Sequence, residues 1–244
     1  MLSKSQAKYI QSLGQKKVRD EEAVFIAEGP KIVAEFLVSA DANILQLYAL
    51  HDWIVANRND CNGKIIIEVD ENDLTKISQL ATPNKVLAVV KKQEPADHFS
   101  TKGIVSLVLD TIQDPGNLGT IIRIADWFGI TQIICSKECA DMYNPKVVQS
   151  TMGSIVRIKM LYTDLATWLE EQKEVFIYAA ALEGQNVTAM KKITEGLIVI
   201  GNESRGISPE IFKLVDVKIT IPQKGKAESL NAAVSTGIIL SHII

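Results

Sequence analysis

Short apolar runs alternate along this chain with stretches in which apolar residues recur every three to four positions, so strands and helices are predicted to alternate. In the first third, AVFIAEG (23–29), NILQLYAL (43–50), KIIIEV (64–69) and VLAVVKK (86–92) read as strands. PKIVAEFLV (30–38), with Pro30 at a first helical position, and ENDLTKISQL (71–80) read as helices. Beyond residue 103 the alternation is more regular. Strands are predicted at 104–110, 131–136, 154–161, 174–182, 197–202 and 217–222. Helices are predicted over LGTIIRIADWF, closed by Gly129, over TDLATWLEEQ, over SPEIFKLV with Ser208 as N-cap and Pro209 next, and over a last segment starting near Ser229 or Leu230. The stretch Lys91–Gly103, KKQEPADHFSTKG, has charge, Pro95 and Gly103 but no periodicity, and reads as a linker. The predicted organisation is a smaller α/β domain over 1–95, a linker over 96–103, and an α/β domain over 104–244 with a mainly parallel sheet covered by helices.

Composition narrows the class. Of 244 residues, 47% are hydrophobic and 23% charged, which suits a globular chain with a sizeable core. The formal charge of −3 argues against bulk polycation behaviour. A local basic patch is still open to nucleic acid, and Lys4, Lys8, Lys16, Lys17 and Arg19 precede the first acid, Asp20. That run reads either as a solvated helix face or as a phosphate-contacting arm. Cys61, Cys135 and Cys139 form no disulfide framework, and no second Cys/His pair completes a zinc-like set, so neither disulfides nor a metal is expected. With no signal-type h-region and no apolar run of membrane length, a cytoplasmic, membrane-free protein is expected.

Three strand-to-helix loops carry the candidate chemistry. In LDTIQDPGNLGTIIRIADWFG (109–129), Asn117 is a candidate helix cap, and Arg123, among Ile121, Ile122, Ile124 and Ala125, is expected to be nearly buried and to need a partner. In IVIGNESRGISPE (198–210), two glycines allow a tight turn, but neither the dinucleotide nor the P-loop pattern is present. In IPQKGKAESLNAAVSTG (221–237), Gly225 offers backbone freedom, and Ser229 and Asn231 sit at a helix start whose free N–H groups suit an anion. All three loops leave strand carboxyl ends, where parallel sheets bind ligands.

PGNLGTIIRIADWFG, IVIGNESRGIS and IPQKGKAESLNAAVSTGI resemble, in order, the three motifs of the SpoU (TrmH-type) RNA ribose 2′-O-methyltransferases of the SPOUT superfamily. The resemblance covers roughly 104–244. KKVRDEEAVFIAEGPKIVAE (16–35) is similar to the RNA substrate-binding domain that often precedes that catalytic domain. The resemblance implies a C-terminal trefoil knot, against the general absence of knots. It also implies S-adenosyl-L-methionine as cofactor, rRNA or tRNA as substrate, and a homodimer whose site is completed across the interface. It places Arg123 at the reacting ribose, matches Asn117, Glu203, Ser229 and Asn231 to the family's other polar positions, and assigns Gly201, Ile221 and Leu230, with Leu182 more loosely, to the cofactor. His51, His98 and His242 lie outside the three loops, so none is the expected base. A SPOUT base methyltransferase and an inactive RNA-binding protein of the same fold are the alternatives.

Overall fold

A computed structural model describes residues 2–94 and 99–244; residues 96–98 of the predicted linker, with His98, lie outside the described residues. In chain order the first elements are α1 (Lys4–Ser12), α2 (Lys16–Glu22), β1 (Val24–Glu28), α3 (Pro30–Val38), β2 (Ile44–Ala49), α4 (His51–Ala56), β3 (Ile66–Glu68), α5 (Glu71–Ile77) and β4 (Val86–Lys91). Then come β5 (Val105–Leu109), α6 (Pro115–Trp127), β6 (Gln132–Ser136), α7 (Pro145–Thr151), β7 (Lys159–Thr163), α8 (Leu165–Glu170), β8 (Ile177–Asn186), β9 (Gly196–Ile200), α9 (Pro209–Phe212), β10 (Val217–Thr220) and α10 (Ala232–Ile243). Two compact units result, Met1–Glu94 with Asp141–Val156, and Pro95–Ala140 with Arg157–Ile244.

The first unit is built on a mixed four-stranded sheet, order β1-β4-β2-β3, with only β2 and β3 parallel. Ile10, Leu13, Val24, Ile26, Tyr48, Leu74, Ile77, Leu87 and Val89 form its core. The basic N-terminal stretch is two helices, not one. Ser3 and Gln6 cap α1 reciprocally, and the helix stops at Leu13, before Gly14. Segment 141–156 leaves the chain after β6, supplies α7, which packs on β1, and returns before β7. Its anchor is Arg19, only 1% exposed. The guanidinium donates to the carbonyls of Leu13 (2.9 Å) and Gly14 (2.8 Å) and pairs with Asp141 at 2.6 Å. The linear division predicted from sequence therefore has a second crossing. The predicted strand 154–161 also shifts. Met152 (φ 52°) and Gly153 (φ 97°) end α7, Ser154–Val156 form a 3-10 turn, and pairing with β6 begins at Lys159.

The second unit has a six-stranded sheet, order β10-β8-β9-β5-β6-β7, in which every neighbouring pair is parallel. The predicted mainly parallel sheet with flanking helices is what is found. β5, β6 and β9 are buried on both faces or nearly so, which is why they read as continuous apolar runs. From β5 the chain winds outward to β6 and β7, then crosses to the other side, where β9 lies beside β5. This is a topological switch point, and the loops after β5 and β9 meet there. α10 packs against α6; α6 buries Leu118, Ile121, Ile122 and Ala125, and α10 buries Ala232, Ala233, Ile239 and Leu240. Among the described residues, no helix is long and apolar enough to cross a membrane.

Candidate active site

The three predicted loops converge at the switch point. The first is corrected in one respect: Asp114, not Asn117, caps α6, accepting from the Asn117 N–H at 2.8 Å. That frees the Asn117 side chain, which donates to Glu203 in the loop after β9 and accepts from Asn231 Nδ2 at 2.8 Å. Asn231 is the N-cap of α10, its Oδ1 accepting from the N–H groups of Ala233 (3.0 Å) and Val234 (3.2 Å). The helix thus starts at Ala232, after Ser229 and Leu230. The direction of this chain is set from both ends. The Glu203 carboxylate can only accept and the helix N–H groups can only donate, so each Asn amide has one possible orientation.

Arg123 is corrected as well. It is exposed, and it makes no hydrogen bond or ion pair among the described residues. Leu118, Ile121, Ile122 and Ala125 occupy the inner stripe of α6, while the 3.6-residue period turns 116, 120, 123 and 127 outward. Trp127, one turn beyond Arg123, is 85% exposed. Ser229 is exposed and takes no part in the hydrogen-bond chain. Of the five predicted catalytic positions, the structure joins Asn117, Glu203 and Asn231, and leaves Arg123 and Ser229 outside that contact.

Of the predicted cofactor positions, Gly201 and Ile221 directly follow strand carboxyl ends. Gly201 follows β9, and a side chain there would meet the Gly206 carbonyl carbon at 2.4 Å, so the loop itself requires a glycine. Ile221 is half-buried after β10, and Leu230 is exposed. Leu182 does not end its strand. β8 runs to Asn186, and residues 180–184 fall between two registers with β10, leaving Leu182 77% exposed. Gly225 has no positive φ and open space around it, so nothing local demands a glycine. Instead Gln223, which the sequence reading passed over, shapes that loop by donating to the carbonyls of Gly225 (3.0 Å) and Ala227 (2.7 Å). Asp110, Thr111 and Asn202 were passed over too, although Asp110, a lone acid closing the run LVLD, was a visible signal.

Residues 104–241 match the SpoU rRNA Methylase family. The chain belongs to the SpoU family. Residues 4–88 match the MRM3-like substrate binding domain. One relative, the 23S rRNA (guanosine(2553)-2′-O)-methyltransferase RlmP of Bacillus subtilis, is 30% identical over 93% of this chain and 91% of its own. The AdoMet-bound rRNA methyltransferase from Sinorhizobium meliloti superposes with a TM-score of 0.87 at 32% identity, covering 99% of this chain and 95% of that one. The SpoU methyltransferase AviRb from Streptomyces viridochromogenes, in complex with AdoMet, gives a TM-score of 0.84 at 25% identity, covering 98% and 97%.

In the first unit of this SpoU-family chain, most of the basic N-terminal run is already paired or buried. Lys16 pairs with Asp20 at 2.6 Å, Lys17 with Glu21 at 3.8 Å, and Arg19 is buried. Lys4 and Lys8 are exposed and in no ion pair among the described residues.

Proposed function

We propose that this protein transfers a methyl group from S-adenosyl-L-methionine to a ribose 2′-hydroxyl of rRNA or tRNA. The observation that carries the reading is the Asn117–Glu203–Asn231 chain, which ties the three motif loops together at the carboxyl edge of a parallel sheet. The edge suits the cofactor chemically. Leu182 and Leu230 offer exposed apolar surface beside backbone whose register with β10 shifts across 180–184 and which is irregular at 221–230. Apolar side chains beside peptide groups suit a purine and its ribose. Gly201, Ile221, Leu230 and Leu182 would hold it. When bound, the sulfonium cofactor supplies an electrophilic methyl group.

The protein's own residues must align the 2′-oxygen and favour its negative charge as the proton leaves. A guanidinium presents a fork of donors and no acceptor, so Arg123 suits a phosphate beside the target ribose rather than a base role. Asn117 and Glu203 orient the ribose, and Ser229 and Asn231 order the loop ahead of α10. The outward face of α6, with Arg123 and the exposed Trp127, is read as the contact with a second copy, which would bring Arg123 to the partner's site. The return of α10 onto α6 after the loop 221–231 is read as the closure of a trefoil knot. Residues 1–95 are read as the RNA substrate-binding domain, ahead of a linker and the catalytic domain 104–244. The buried free thiols of Cys61, Cys135 and Cys139 suit a reducing cytoplasm.

The test is methyl transfer from labelled S-adenosylmethionine to rRNA and tRNA, followed by nucleoside mass spectrometry. A 2′-O-methyl nucleoside is expected. A base-methylated product would replace ribose chemistry with base chemistry, and RNA binding without transfer would reduce the protein to a binding module.

A further inference from the structure

We infer that Asp110, Thr111 and Asn202 form a positioning clamp that sets the loop carrying Glu203 against Asn117. Asp110 directly follows β5 and is 3% exposed. Its N–H donates to the Ile200 carbonyl at 2.9 Å, carrying the β5–β9 pairing one step past the end of β5. Its carboxylate accepts from Thr111 Oγ1 at 2.8 Å and from the Ser208 N–H at 2.7 Å. One buried acid therefore fastens the far end of the 201–208 loop to the central strand. A buried carboxylate is tolerated when such donors satisfy it.

Thr111 has φ 60°, a left-handed conformation that is uncommon for a β-branched residue. Such backbone persists only where its surroundings over-determine it. Here they do. The Thr111 N–H donates to Ser136 Oγ at 3.1 Å, its hydroxyl to Asp110, and its carbonyl accepts from Asn202 Nδ2 at 2.9 Å. The next N–H, of Ile112, donates to Cys139 Sγ at 3.2 Å.

Asn202 has two further tasks. Its Oδ1 accepts from the N–H groups of Ser204 (2.9 Å) and Arg205 (3.2 Å), and its backbone exchanges hydrogen bonds with Gly206 at 3.0 and 2.9 Å. Those bonds fold residues 202–206 into a tight turn with Glu203 second in it. The single bond from Nδ2 to Thr111 then fixes where that turn stands. The clamp does not touch the Asn117–Glu203–Asn231 chain except through Glu203, so its members are positioning residues. Its consequence for turnover rests on the methyl-transfer reading, whereas its geometry does not.

Asn202→Asp separates the functions, because it keeps the Oδ1 acceptor for the turn and loses the donor to Thr111. In otherwise unchanged protein, the single-turnover methyl-transfer rate is expected to fall about 100-fold, the loss that a displacement of about 1 Å can cause. In the Glu203→Ala background the same change should cost under about 3-fold, since the group it positions is already gone. Equal losses in the two backgrounds would overturn the clamp. Should Asn202→Asp fail to fold, Thr111→Ser and Thr111→Val make the same comparison. Serine keeps the hydroxyl to Asp110 and should stay within about 3-fold of the parent, while valine should lose at least about 10-fold; equal rates would overturn the inference. A crystal structure of Asn202→Asp reads the geometry without turnover. Glu203 displaced from Asn117 supports the clamp even in a protein that transfers no methyl group, a result that would sink the functional reading alone. Glu203 unmoved overturns the clamp even in an active enzyme.

Discussion

Asn231 performs two tasks with two atoms, and one substitution separates them. Its Oδ1 caps α10 through Ala233 and Val234, and its Nδ2 donates to Asn117 at 2.8 Å. Asn231→Asp keeps the cap, because aspartate is as good an N-cap as asparagine and its charge is favoured at a helix N-terminus. It replaces the donor with an oxygen facing the Asn117 oxygen. Asn117 cannot recover by flipping its amide, since that would turn its oxygen toward the Glu203 carboxylate. The lost bond is worth about 1 kcal/mol, and the opposed oxygens add to it. At about 1.4 kcal/mol per factor of ten, turnover should fall about 10- to 100-fold. Stability should change little, because the new charge at the helix N-terminus returns about 0.3–1 kcal/mol against the lost bond. Asn231→Ala loses the cap as well, about 1 kcal/mol, or roughly 2–4 °C for a chain of this length. The assay pairs melting curves with single-turnover methylation at saturating cofactor. The expected pattern is that Asp melts like the parent yet turns over slowly, and Ala is impaired in both. Full turnover by Asn231→Asp would show that Asn231 serves only as a cap, and the chain would lose its claim to be the organising contact of the site.

Arg123→Lys should leave the melting temperature within about 1 °C, since the exposed side chain holds nothing in place, while slowing RNA methylation at least about 10-fold; near-parental rates would remove Arg123 from the site. Gly201→Ala should displace its loop and abolish most turnover, whereas Gly225→Ala should change neither rate nor melting, and an active Gly201→Ala protein would contradict the 2.4 Å approach to Gly206. Arg19→Met strands the Asp141 carboxylate, a loss of about 3–5 kcal/mol, so the first unit should melt at least about 6 °C lower and segment 141–156 should become open to limited proteolysis. Burial pushes the Glu28 carboxyl up despite its bonds from Ser78 and Gln79. A folded-state value raised above the unfolded one means stability that is full below the ordinary carboxylate range and lost as pH rises through the raised value. Glu28→Gln should flatten that fall, and melting curves parallel to the parent's across the pH series would refute it.

What the sequence made legible follows from how local each cause is. β5 and β9 are buried on both faces, so their apolar runs announced strands without reference to anything distant. Asn117 and Asn231 are visible as polar residues in loops that follow strand ends, whereas Glu203 is marked only by the resemblance to the SpoU motifs. The apolar neighbours of Arg123 in the chain suggest burial, though the helical period already sets it nearly opposite the buried stripe. The remaining features depend on pairings across long stretches of chain. Arg19 reads as one more cation in a basic helix until it meets Asp141, 122 residues on. That buried pair assigns 141–156 to the first unit, against the linear order of the sequence. Asn202 likewise looks like a turn residue, and within its own loop it is one. Only its bond to Thr111, 91 residues earlier, shows that the second motif loop is registered on the first. The motif residues are therefore readable one loop at a time, but their relative positions are set by residues between the motifs' most visible letters, and those are the positions where substitution should alter rate without altering ligand contacts.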